Sequence, residues 1–287
     1  MAPLQKPDSS PNFQIISTIR YDPALSNLPI QSGAYPSPEN SPYYLLSHHR
    51  VRLLAAAKAF QWPAAIALLD QPPEAALALL TDVLDKHTQS DPTRSWRLRV
   101  LLDHSGNITA EANPLPTPPS PHILLLPPDG RLSFSNLLQS SSVQKIKPWT
   151  LVLDTEPTPP SLFTTHKTTA RDGYTASRAR TGISSPQEEM EVLIHNPAGE
   201  VMEGSITTVY FRRQRRKSDS GDGDNDEYYW VTPPLSCGGN AGTTRRYALA
   251  AGMCVEEVVR VEDLRLGMEV WLSNGVRGFW PAVLMDV

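Results

Sequence analysis

Residues Phe163 to Arg180, FTTHKTTARDGYTASRAR, set one lysine, Lys167, among threonines ahead of a helix-like run carrying Arg171 and Tyr174. A lysine among small polar residues is ordinarily solvated. To act as a nucleophile or base its amine must shed a proton, which takes burial or neighbouring positive charge, and His166 and Arg171 are the candidate neighbours. Val201 to Phe211, VMEGSITTVYF, places Glu203 ahead of a polar strand. A carboxylate against the nitrogen of a pyridine-type cofactor keeps that ring protonated and electron-withdrawing; the plainer alternative is a turn-capping glutamate after Pro197. In VTPPLSCGGNAGTTRRYALAAG, Val231 to Gly252, a glycine turn leads through Gly242, Thr243 and Thr244 into a helix. Free backbone N–H groups and hydroxyls at a helix start suit a phosphate, and the same pattern also serves ordinary helix initiation. His49 to Leu53 reads HRVRL, where Arg50 or Arg52 could add a guanidinium to such an anion or lie solvated on its helix.

Other chemistries lack their simplest support. There is no P-loop, no Rossmann glycine fingerprint, no HExxH metal pair and no internal repeat, so no metal site is expected. Cys237 and Cys254 are too few and too isolated for a disulfide scaffold or a thiolate site. A composition of 40% hydrophobic and 20% charged residues, with 28 prolines and a formal net charge of −4, is that of a soluble globular chain without a nucleic-acid partner. No apolar stretch suggests a signal peptide or a membrane helix, so an intracellular, cytoplasmic protein is expected.

The elements that must position these residues fall into two groups, and 287 residues suit two lobes sharing a cleft. After a disordered leader, 1–12, the small lobe, 13–120, is expected to hold a strand over Asn12 to Asp22 and a helix over Ser41 to Phe60. A second helix over Pro63 to Leu84 and strands over Ser95 to His104 and Asn107 to Ala112 complete it. A proline-dense run and the apolar run His122 to Leu126 lead into the linker region, 121–148. The large lobe, 149–287, should be strand-rich: Trp149 to Asp154, Glu191 to His195, Ser205 to Phe211, Tyr228 to Thr232, Val255 to Arg260 and Met268 to Ser273. Its helix runs from about Thr244 to Gly252. The basic-then-acidic segment 212–227 reads as a solvated, disordered extension of a hairpin.

Taken in order, these segments resemble the class IV aminotransferase family. His49-Arg50-Val51-Arg52-Leu53 is similar to its HxxRL helix, His166 to Arg171 to its lysine segment, Glu203 to Phe211 to its glutamate strand, and Gly238 to Arg246 to its phosphate turn. Ser273-Asn274-Gly275 resembles its closing triplet, and the likeness runs from Phe13 to about Pro281. The resemblance implies an α+β, fold type IV enzyme with a small α/β lobe, a larger barrel-like β lobe with helices, bound pyridoxal 5′-phosphate and a homodimer. It implies Lys167 as the lysine that carries the cofactor and Glu203 as the partner of the pyridine nitrogen. Arg52, Thr243, Thr244, Asn274 and Gly275 would hold the phosphate, and Arg20 and Arg171 a carboxylate-bearing small molecule. Ser17 stands where many members have an acid and Ala170 where many have asparagine. The Lys-Thr-Thr-x-Arg segment is most similar to fungal 4-amino-4-deoxychorismate lyases, which release pyruvate and 4-aminobenzoate, a folate precursor. An aminotransferase of D-amino or branched-chain acids and a non-catalytic paralogue are the other expectations.

Overall fold

Strand β1 (Ile15–Tyr21) sends Ile15, Ile19 and Tyr21 into an apolar cluster, while Thr18 and Arg20, by alternation, line a cavity on the opposite side. In the computed structural model, which describes residues 12–27, 35–115, 147–185, 187–214 and 228–286, β1 pairs antiparallel with β2 (Trp96–Leu102). Strand β2 pairs in turn with β3 (Ile108–Pro114). Helices α1 (Leu46–Ala59), α2 (Pro63–Leu69) and α3 (Pro73–Thr88) cover the apolar face of this sheet, with Leu53, Ala56, Leu80 and Leu84 buried against Leu98 and Val100.

Two helix expectations are corrected. Helix α1 starts at Leu46 rather than Ser41, because Tyr43 forms a β-bridge with Tyr21 and the Tyr44 N–H donates to the Arg20 carbonyl, which holds this stretch out of the helix. The single helix expected from Pro63 to Leu84 is two, broken at Gln71-Pro72-Pro73. Pro73 bars its predecessor from helical geometry and itself opens α3.

The second sheet has eight strands in the order β6-β5-β4-β11-β10-β7-β8-β9. They are β4 (Trp149–Leu153), β5 (Met190–His195), β6 (Val201–Gly204), β7 (Thr208–Gln214), β8 (Tyr228–Thr232), β9 (Val255–Glu256), β10 (Glu269–Asn274) and β11 (Gly278–Met285). Helices α4 (Leu162–Thr165) and α5 (Asp172–Arg180) lie between β4 and β5, and α6 (Thr243–Ala250) between β8 and β9. The expected α+β class is what is found, a small antiparallel sheet beside a curled eight-stranded one with helices. Residues 212–214, expected to begin the disordered extension, instead continue β7 against β8. Arg213 pairs with Glu257 and Asp263, and the Arg212 guanidinium lies 4.6 Å above the Tyr228 ring. Strand β9 keeps only two of the six residues expected from Val255 to Arg260. The rest of the extension, the run His122 to Leu126 and nearly all of the leader lie outside the described residues. No described helix is long and apolar enough to cross a membrane, and Cys237 and Cys254 are free and buried.

Backbone bonds join the two sheets at β1. The Ile16 N–H donates to the Lys167 carbonyl at 2.9 Å, Thr169 N–H to Gln14 at 2.9 Å, and Arg20 N–H to Gly275 at 3.1 Å. The same strand therefore carries the first sheet and fixes two of the segments singled out above. Because α1 places Leu53 in the core and its neighbour Arg52 at the cavity, Leu53→Ala should cost about 2–5 kcal/mol of stability in urea unfolding. A loss below ~1 kcal/mol would show that the helix is not held by this contact.

Candidate active site

Between the sheets lies a cavity of about 730 Å³, and all the residues that the sequence singled out as site residues line it: Arg20, Arg52, Lys167, Arg171, Glu203, Thr243, Thr244, Asn274 and Gly275. Lys167 follows the short helix α4 and is pinned by the β1 bonds to its own carbonyl and to Thr169. Burial pushes its amine well below the usual lysine range; the Arg171 and Arg52 guanidiniums add to this, Glu203 opposes it, and Arg97 contributes further. His166 is not among those charges. Its ring meets Phe60 at 5.9 Å and burial holds it below its ordinary value, so it brings no positive charge to the lysine.

Glu203 sits on a strand of its own, β6, rather than in the expected turn; the chain reverses at Ser205 to Thr207 and β7 begins at Thr208. Burial raises its carboxyl to about 7, against the lowering effect of a Tyr174 hydroxyl that donates to Oε1 at 2.5 Å, of the Asn240 backbone, and of Arg171 and Lys167. Tyr174 comes from α5, where the Arg171 guanidinium stacks 4.5 Å over its ring. A cationic group brought against Glu203 would find a carboxylate ready to ionise.

At the other end, α6 opens at Gly242 with no side-chain cap, so its first N–H groups lack a side-chain acceptor, and Gly242, Thr243 and Thr244 line the cavity. The Thr244 hydroxyl accepts from Ser273, which bonds Tyr210, but Thr243 Oγ1 is buried and without a partner. So is Arg52 Nε, although Arg52 Nη2 donates to Ser17 Oγ at 2.5 Å and Ser17 lies 2.7 Å from His49 Nδ1. Burial and Arg246 bring Arg52 down to about 10, still cationic at neutral pH. Arg50 instead bonds the Gln71 carbonyl on an exposed face, so of the two arginines it is Arg52 that lines the cavity. An alanine at Gly275 would put its Cβ 2.9 Å from His49 Cε1 and 3.0 Å from both Thr18 O and Thr243 Oγ1, so only glycine lets these parts close together. The Asn274 side chain accepts from the Val276 and Arg277 N–H groups and so shapes the turn that carries Gly275. Orphaned buried donors beside a helix start suit a phosphate.

The two predicted carboxylate binders differ. Arg20 is 4% exposed and its guanidinium is committed: Nε donates to Asp22 at 2.9 Å, Nη2 lies 2.8 Å from the same oxygen off the N–H axis, and Nη1 donates to the Val276 carbonyl. Arg171 donates to the Ser205 carbonyl. Sequence reading missed Arg97, which pairs in register with Arg20 across β1 and β2 and lines the cavity, and whose side chain makes no hydrogen bond or ion pair among the described residues. Its signal was legible: Trp96 to Leu102, WRLRVLL, alternates arginines with buried Leu98 and Val100. Arg277, 4.8 Å above the Trp149 ring, also faces the cavity.

Glu203 gives the site a pH signature. A glutamate of the unfolded chain ionises near its ordinary value of about 4.3, whereas the native state keeps this proton up to about 7. The residue's contribution is therefore favourable below that window and declines as pH rises through it. Wild type should lose at most about 3 kcal/mol between pH 4.5 and 7 relative to Glu203→Gln, less where water enters the cavity. Parallel stability curves for the two proteins would contradict this environment for Glu203.

Residues 37–284 match the model of the family described as amino-transferase class IV. The chain is 34% identical over 197 residues to the aminodeoxychorismate lyase of Saccharomyces cerevisiae, a match covering 64% of this chain and spanning about half, 50%, of that relative's length. It is 25% identical over 251 residues to a Schizosaccharomyces pombe protein provisionally given the same name, covering 84% of each. A crystal structure of a Mesorhizobium loti protein, provisionally named an amino-acid aminotransferase, superposes with a TM-score of 0.60 and 26% identity over 95% of this chain and all of that one. With the lysine, glutamate and helix-start segments meeting in one cleft of this fold, and with a family match spanning most of its length, the chain belongs to the class IV aminotransferases.

Proposed function

We propose that this chain is a pyridoxal 5′-phosphate-dependent 4-amino-4-deoxychorismate lyase, cleaving its substrate to pyruvate and 4-aminobenzoate. The observation that carries the reading is the charge of the cleft. Arg20, Arg52, Arg97, Arg171, Arg277 and Lys147 line it against Glu189 and Glu203, and the Arg97 guanidinium has no partner among the described residues. One guanidinium, Arg52, suits the cofactor phosphate; the excess suits a substrate with two carboxylates better than an aliphatic amino acid. The similarity to the two fungal relatives points the same way.

In this reading Arg52, Thr243, Thr244 and the backbone at Gly275 hold the phosphate, Glu203 holds the ring nitrogen, and Lys167 is the covalent attachment point. Asn274 keeps the turn carrying Gly275 in shape. When bound, the cofactor supplies an electron-withdrawing ring beside the carbon that bears the substrate amine. Lys167, whose charged form burial and its arginine neighbours disfavour, takes the proton from that carbon at Nζ. Tyr174 steadies Glu203 by its hydrogen bond. Arg97 and Arg171 fix the carboxylates, with Arg20 contributing charge from the wall. The ring–oxygen bond of the enolpyruvyl group then breaks, the Lys167 ammonium is placed to return its proton to the departing group, and the carbocycle becomes aromatic. Substrate atoms are fully accounted for by the two products, so no keto acid is consumed.

Protein supplied with pyridoxal phosphate and 4-amino-4-deoxychorismate, without keto acid, should release pyruvate and 4-aminobenzoate in equal amounts, and Lys167→Ala should abolish both. Keto-acid-dependent turnover of amino acids with no 4-aminobenzoate would reject the lyase in favour of a transaminase. Arg97→Ala should lower kcat/KM for the same substrate by about 10- to 100-fold, chiefly through KM, as expected for a lost charged contact worth ~1.5–3 kcal/mol. Unchanged kinetics would remove Arg97 from the substrate site.

A further inference from the structure

Glu191 is fully buried on β5, away from the residues named above as holding cofactor or substrate, and its carboxylate is closed in by donors. Oε1 accepts from the Val192 N–H at 2.9 Å, the Ser205 N–H at 3.1 Å and the Ser205 hydroxyl at 2.6 Å. Oε2 accepts from the Ile206 N–H at 3.1 Å and the Thr207 hydroxyl at 2.9 Å. Arg178 closes the arrangement, donating to Ser205 Oγ at 2.9 Å with Nη1 3.7 Å from Oε1. A Cβ on Gly204 would fall 2.9 Å from Glu191 Cγ and 2.2 Å from Thr207 Oγ1, so the chain reverses tightly around the carboxylate.

The turn held in this way, Ser205 to Thr207, is a wall of the cavity. Its Ser205 carbonyl accepts from the Arg171 guanidinium, and its Ile206 carbonyl accepts from Asn274 Nδ2 at 3.5 Å. We infer that Glu191 is a positioning residue: it clamps the Ser205 to Thr207 turn and, through the Ser205 carbonyl, seats the Arg171 guanidinium where its charge acts on Lys167. A carboxylate is suited to the task because it accepts at every position. Glutamine would keep the shape, but wherever its amide group points, one side meets backbone N–H donors with another donor. The inference rests on the reading of Lys167 as the reacting amine. The charged and titratable groups around that amine are Arg171, Arg52, Arg97 and Glu203, with His49 close to it and Tyr174 bonded to Glu203.

The test uses the cofactor-free full-length protein, in which the rate of Lys167 acetylation by acetic anhydride is followed against pH by peptide mass spectrometry. Wild type should titrate well below an ordinary lysine, and Glu191→Gln should titrate higher, because a displaced Arg171 no longer disfavours the ammonium form. Arg171→Met should shift it the same way, and the double variant no further, since the two act through one contact. In the lyase assay Glu191→Gln should lose kcat by up to about 100-fold, the scale of a small misplacement in an active site. Glu191→Asp, which keeps the charge with a shorter reach, should fall between and carries the same titration if the glutamine variant fails to fold. A depressed wild-type titration left unmoved by folded Glu191 variants, or additive shifts in the double variant, would overturn the positioning role. An ordinary titration in wild type would instead overturn the reading of Lys167.

Discussion

Burial and neighbouring guanidiniums disfavour the charged form of an amine, and the cleft gathers such groups around one amine, Lys167. Lys167 is half-buried in the cavity wall, Arg171 and Arg52 disfavour its charged form, and Glu203 is the counter-charge that tempers them. The two sides balance. Without the arginines, burial would have to do the work alone; without Glu203, too much positive charge would gather in one cavity. Glu203 is itself held at the edge of ionisation, near 7, so its charge responds to what is placed against it.

That balance needs elements remote in sequence to meet within a few ångströms, and β1 is where they meet. Its backbone bonds reach the lysine segment at one end and the Gly275 turn at the other, while its side chains alternate between the helix-covered core and the cavity. Ser17, between Ile15 and Ile19 on the helix side, accepts from the Arg52 guanidinium. A hydroxyl positions the arginine without neutralising it, so Arg52 keeps its full charge toward an anion. The same economy appears at Gly275, where three neighbours approach so closely that a single methyl group would part them.

Much of the site was legible because its chemistry is local in sequence. Lysine among threonines, the glycine turn running into Thr243 and Thr244, and HRVRL each carry their pattern within a few residues. What escaped was the part set by pairing across strands. Arg97 matters because register puts it opposite Arg20 with no side-chain partner among the described residues; Glu203 itself was singled out, but the four-residue strand that carries it is too short to show alternation. Arg50 and Arg52 could be told apart only by which face of α1 meets the cavity. At the level of elements, the double proline at Pro72-Pro73 was an unread stop signal, whereas the late start of α1 depends on a bridge between Tyr21 and Tyr43 that no local pattern announces.

The central claim, that Lys167 is the one amine poised to attach an aldehyde cofactor, is tested most directly by reducing the protein with borohydride in the presence of pyridoxal phosphate and mapping the modified peptide. The expected result is a single stable adduct on Lys167. Adducts spread over surface lysines with Lys167 unmodified would contradict it.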